Sequence, residues 1–224
     1  MSILFTILKY LIFSLLLIAI SCSSNSSNKK QQESEERSVE EIYNSAMDYI
    51  NDNKYSKAHD EFIEVERLHP YSIWATRSQI MTSYVNYKLN KYADSVSGAK
   101  RYIELHPGAS DIDYAYYLIA LNHYEQINDY RRDQSFTRNA LEAFNNLIRR
   151  FPNSDYSKDA KLKLDLVNDH LAAKEMDIGR TYQNLDNYIS AINRFKTVVE
   201  LYSKTSHVPE ALARLTETYY RLGL

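Results

Sequence analysis

Six histidines, one cysteine and the triplet His59-Asp60-Glu61 are the residues here whose types could run a reaction. Two histidines at i, i+4 around a glutamate would hold zinc on one helix face, with the glutamate as general base. His59, His69, His106, His123, His170 and His207 contain no such pair. His69 and His106 each precede a proline, a place where imidazole meets the negative end of a helix dipole as a C-terminal cap. His59, Asp60 and Glu61 fall within one helical turn and point in diverging directions, so they read as a solvated face. Four scattered glycines build no phosphate cradle. The expectation is a chain with no catalytic residues, no metal site and no enzymatic activity.

The single cysteine, Cys22, stands where the apolar run Tyr10–Ile20 gives way to serine and asparagine. A lone cysteine closes no internal disulfide and is a liability in an oxidising compartment. Lys9, the apolar run and then Ser21 follow the export-signal pattern. The run is shorter than the roughly 20 residues of a membrane span, although extension back to Ile3 keeps a signal anchor as the alternative. Ala19-Ile20-Ser21-Cys22 resembles a bacterial lipobox, with Ala19 where lipoboxes prefer leucine. That resemblance implies a signal peptide over residues 1–21 and a cysteine carrying diacylglycerol and an N-acyl chain. Ser23 in place of aspartate after the cysteine implies delivery to the outer membrane. Residues 23–37, SSNSSNKKQQESEER, hold nothing apolar and read as a flexible tether, with a root-mean-square reach of about 20 Å. The lipid on Cys22 is the only attached group expected; no cofactor is.

As for the elements that carry these residues, 27 basic residues against 29 acidic ones leave no basic stripe for nucleic acid. Scarce glycine and proline permit long helices and argue against β-hairpins. From Val39 onward the apolar period is helical, and the sequence repeats itself. Asn53-Lys54-Tyr55 recurs as Asn90-Lys91-Tyr92, and Leu68-His69-Pro70 as Leu105-His106-Pro107, both 37 residues later. Four copies end in turns at Pro70, Pro107, Pro152 and Ser203. Twelve residues before each turn lies a small residue (Ala58, Ser95, Ala140, Ala191), and eight before lies Phe62, Ala99, Phe144 or Phe195. This is the tetratricopeptide pattern. The expected fold is all-α, a tetratricopeptide-repeat superhelix of about four and a half helical hairpins over 38–224. Its repeats run near 39–72, 76–109, 113–154 and 157–204, with a partial repeat at 207–224. Repeat two is weakest, with Asn86 in the aromatic slot. Repeat three carries about eight extra residues near Asn128–Ser135. The last helix reads either as a terminal cap or as the first half of a truncated fifth repeat.

Such arrays bind extended or helical segments in the concave face lined by first helices. The register places Tyr43 and Met47 there in repeat one, Arg77, Tyr84 and Tyr87 in repeat two, and Tyr114, Tyr117 and Tyr124 in repeat three. Repeat four supplies Met176, Arg180 and Gln183. Tyrosine offers area, a hydroxyl and little rotamer entropy to lose, which suits a peptide with aromatic side chains. Packing between hairpins is the competing role for these residues. The total of 20 tyrosines also fits an AT-rich genome.

Two stretches resemble a known family: SDIDYAYYLIALNHYEQI with RRDQ and AFNNLIRRFPNSDYSKDAKLKL, and LAAKEMDIGRTYQNLDNYISAINRF. The chain from Cys22 to Leu224 is similar to the BamD family, tetratricopeptide lipoproteins of the β-barrel assembly machine. The resemblance implies an outer-membrane lipoprotein facing the periplasm. Its partners would be a BamA POTRA domain, the other lipoproteins of the machine, and the C-terminal targeting strands of unfolded outer-membrane proteins. It also implies that Arg194 contacts BamA. Another periplasmic tetratricopeptide adaptor, for example in envelope constriction, or a lipid-anchored hydrolase built around His59 or His123, are the competing functions.

Overall fold

A computed structural model describes residues 37–224, and the regular structure among them is all α-helical. The signal segment, Cys22 and nearly all of the tether lie outside the described residues. Among the described residues nine helices follow one another: α1 (Val39–Asn51), α2 (Tyr55–Leu68), α3 (Ile73–Lys88), α4 (Tyr92–Leu105), α5 (Ile112–Tyr124), α6 (Ser135–Arg150), α7 (Asp155–Asn184), α8 (Tyr188–Leu201) and α9 (Val208–Arg221). Each packs against the next, forming hairpins α1–α2, α3–α4, α5–α6 and α7–α8 with α9 after them. The first helices also touch one another, α1 with α3, α3 with α5 and α5 with α7. Their shared face is therefore a continuous surface.

The recurring NKY motif has a local cause. Asn53, Asn90 and Asp186 all lie in the left-handed region, with φ of 58°, 59° and 58°, where Asn and Asp are the side chains least strained after glycine. At each, two backbone bonds close a Schellman motif. Asn53 N–H donates to the Ile50 carbonyl and Lys54 N–H to that of Tyr49; Asn90 and Lys91 do the same to Tyr87 and Asn86, and Asp186 and Asn187 to Gln183 and Tyr182. The tyrosine that opens the second helix donates its hydroxyl back to the turn residue, at 2.8 Å in Tyr55–Asn53, 2.9 Å in Tyr92–Asn90 and 2.6 Å in Tyr188–Asp186. Helix α9 ends in the same geometry, with Gly223 at φ 74° and Leu224 N–H on the Tyr219 carbonyl. Its ending is that of a first helix.

Second helices end alike too. His69, His106, Phe151 and Tyr202 are C-cap residues, each returning its N–H to the carbonyl four residues earlier. The His106 imidazole meets the Gln79 side chain at 2.9 Å.

All eight small and aromatic slots are fully buried. Gly179 shows why a small residue is required where two helices cross. A Cβ there would lie 2.5 Å from the Phe195 ring. In repeat two, where alanine replaces phenylalanine at position 99, Tyr102 fills the gap and donates to Asp111 at 2.6 Å. Polar groups hold the same repeat: Ser95 Oγ donates to the Ser83 carbonyl, and Asn122 Nδ2 donates to Ser95 Oγ. The extra residues of repeat three form the connection between α5 and α6. Gln134 organises it, its amide facing the carbonyls of Asp129, Tyr130 and Arg132 while its Oε1 accepts from Thr137. Helix α7 has 30 residues, a length of about 45 Å. Its N-terminal part closes the repeat-three core with Ala160, Val167 and Leu171, and its C-terminal part builds the next core with Ala172 and Met176. Successive cores share helices, so repeats are stabilised mainly by their neighbours.

Candidate functional site

The first-helix face carries an aromatic wall. Tyr84 and Tyr87 project from α3 and Tyr114 and Tyr117 from α5, all half-buried. They are close enough that Tyr84, Tyr117 and Tyr87 all act electrostatically on Tyr114. Tyr156, in the first turn of α7, completes the wall. Its ring centroid lies 5.2 Å from that of Tyr114 and 5.1 Å from that of Tyr117, the latter pair stacked. Phe144 backs the wall, 6.4 Å from Tyr117 and 5.9 Å edge-on from Tyr124. The preferred tilted and offset geometries are therefore satisfied from behind.

Carboxylates fix two of the hydroxyls. Tyr87 donates to Glu125 Oε1 at 3.1 Å, and Tyr117 donates to Asp159. Burial, then the Glu125 charge, pushes the Tyr87 hydroxyl up to about 12. Burial and the Asp159 bond raise Tyr117 further, and burial raises Tyr114. All three stay protonated at neutral pH, because a raised tyrosine pKa favours the neutral form. Lys163 sits 5.4 Å over the Tyr124 ring with its ammonium 3.3 Å from Asp159.

Towards repeat one the wall continues differently. Tyr43 packs on Trp74 at 4.8 Å and on Phe62 at 5.5 Å. Exposed Arg77 lies over the Trp74 ring at 5.2 Å. Met47 leans on the Ala46–Phe62 core and is half-buried. The expected groove residues of repeats one to three lie on the first helices, and all of them except Arg77 also pack against the core.

Repeat four departs from expectation. Met176 is 0% exposed, inside the core with Phe195 and Ala211. Gln183 is 3% exposed, its amide facing Thr218 and its oxygen accepting from Arg214. Arg180 is held by Glu210, with both oxygens at 3.1 Å. Helix α9 covers these positions, and helical period alone does not report a covering neighbour. Tyr156, Trp74, Glu125 and Asp159 were not anticipated. The spacing Tyr156, Asp159, Lys163 on α7 is the helical signal for the two that lie on that helix, hidden because the long helix starts before the repeat boundary.

Arg194 of α8 donates to Glu175 of α7 at 2.9 Å, with side-chain exposures of 41% and 19%. His123 lies in a separate cavity of about 460 Å³ between α4, α5 and α6, together with Lys100, Glu104, Tyr116 and Glu142. Burial and Lys100 lower its pKa, and no serine, threonine or cysteine is among the lining residues. His59 faces Asp60 at 3.6 Å on an adjacent position of one helix. No group of three or more His, Cys, Asp or Glu is placed to hold a metal among the described residues.

A family model described as "YfiO: Outer membrane lipoprotein" matches residues 35–224. The outer membrane protein assembly factor BamD of Caulobacter vibrioides is 48% identical over 190 residues, 85% of this chain and 62% of that protein. The protein of the same name from Rickettsia prowazekii is 43% identical over 183 residues, 82% of this chain and 73% of its own length. The chain therefore spans less than two thirds of the Caulobacter relative. A solved tetratricopeptide-repeat protein of Thermus thermophilus is 12% identical, with a TM-score of 0.45 over 82% of this chain and 100% of its own. Among the described residues no helix is long and apolar enough to cross a membrane.

Proposed function

The chain belongs to the YfiO family of outer membrane lipoproteins, and from that premise we propose that it is a non-enzymatic assembly factor for outer-membrane β-barrel proteins. It is anchored in the outer membrane by lipid on Cys22 and faces the periplasm. It needs no cofactor, because the work is binding and presentation rather than bond making. The first-helix face receives the C-terminal targeting segments of unfolded barrel proteins, and the C-terminal repeats hold a POTRA domain of BamA and neighbouring lipoproteins of the machine. The observation that carries this reading is the tyrosine wall. Its tyrosines are partly exposed and backed by the core, and Tyr87 and Tyr117 are tied at their hydroxyls, so a bound aromatic segment meets a surface already ordered.

A photo-crosslinking residue at Tyr84, whose hydroxyl anchors no carboxylate among the described residues, should capture identified β-barrel precursors in cells. Recovery of neither those precursors nor BamA would overturn the proposal.

Arg194→Glu should weaken co-purification with BamA while the free chain keeps its helicity and melting profile. The Glu175 pair supplies a control. Swapping the charges, Arg194→Glu with Glu175→Arg, restores the internal ion pair but presents the opposite sign outward. If the swap restores the complex, Arg194 serves only α7–α8 packing and is not a contact.

A further inference from the structure

Tyr87 with Glu125 and Tyr117 with Asp159 are neighbouring hydroxyl–carboxylate pairs on the tyrosine wall. In each the hydroxyl proton is directed at the carboxylate, so acceptor lone pairs face outward; the charge of Asp159 is balanced by Lys163 at 3.3 Å, and that of Glu125 is left to the surface. Such a surface favours a ligand that brings donors and positive charge. Tyrosine faces add to that preference, because a ring attracts cations over its π-surface. The chain itself uses this chemistry nearby: Lys163 is seated over Tyr124 and beside Asp159. Glu125 has no basic partner among the described residues, although its oxygen holds Tyr87 in place. Charge complementarity therefore selects one kind of occupant.

We infer that the segment bound by this face carries a basic side chain beside its aromatic residue, with the cation seated at Glu125 against Tyr87. The inference rests on the proposed function of the first-helix face and adds the charge of the segment it selects. An aromatic segment with an acidic residue at that place meets the Glu125 carboxylate and is disfavoured, which gives the groove discrimination that aromatic packing alone lacks.

The test uses the lipidated full-length chain in detergent micelles and fluorescein-labelled decapeptides ending in phenylalanine. Three peptides differ at one internal position, as Lys, Gln or Glu. Fluorescence anisotropy should show the Lys peptide binding about tenfold tighter than the Glu peptide. Glu125→Gln keeps the hydroxyl acceptor and should shrink that ratio to about twofold or less; thermal melting checks that the variant is folded. Equal binding of all three peptides overturns the charge preference and leaves the aromatic groove standing. A ratio unchanged in the amide variant overturns the assignment to Glu125. No binding by any peptide overturns the groove itself.

Discussion

Phe144→Ala lowers the free energy of unfolding by about 3–5 kcal/mol, the cost of removing a fully buried aromatic ring and leaving its cavity. Phe144 is 0% exposed and is shared by three helices, in a core with Ala120, Leu147, Ala160 and Val167. Those neighbours belong to α5, α6 and α7, so collapse around the gap would have to move whole helices. Against a typical net stability of about 5–15 kcal/mol, such a loss leaves the protein marginal. A repeat array also loses cooperativity when a central repeat is weakened, so urea unfolding followed by circular dichroism should broaden or split. Phe144→Leu, which keeps most of the volume, should cost less than about 1.5 kcal/mol. The binding consequence is separate from stability: Tyr117 and Tyr124 lose the ring they lean on, and peptide affinity should fall even under conditions where the variant is folded. A stability loss below about 1 kcal/mol would show that the repeat-three core closes without the ring.

Cys22→Ala removes the protein from the outer-membrane fraction and abolishes incorporation of labelled palmitate. Lipid burial is worth about 0.8 kcal/mol per CH₂, and one acyl chain holds a protein only marginally while two or more hold it stably. Three chains on one cysteine would therefore account for membrane residence without any spanning helix. A variant that stays in the membrane fraction without label would return residues 3–20 to the role of anchor. On the proposed function, the same substitution should depress barrel-protein levels even though the repeat domain is untouched.

Much of the fold was legible because its determinants are local. Ala58, Ser95, Ala140 and Ala191 repeat at fixed distances from the turns because helices within a hairpin approach too closely for larger side chains. Asn53, Asn90 and Asp186 recur because a left-handed residue must close each turn. The face bearing Tyr84, Tyr87, Tyr114 and Tyr117 also follows from helical period once the hairpins are known.

What period could not supply was the neighbour across the gap. Met176 and Gln183 stand on the expected face of α7, yet α9 and the α7–α8 core cover them. Tyr156 joins the wall only because the chain turns at Pro152 and carries α7 beside α5. Glu125 and Asp159 meet tyrosines 38 and 42 residues away, and Arg194 meets a glutamate 19 residues away on the preceding helix. The sequence by itself determined a helical-hairpin array, a lone cysteine at a lipobox-like junction and the family to which both belong. Tertiary structure alone decided which tyrosines remain open, which are tied to carboxylates and which arginine is already paired, because burial and hydrogen bonding depend on helices brought together from distant parts of the chain.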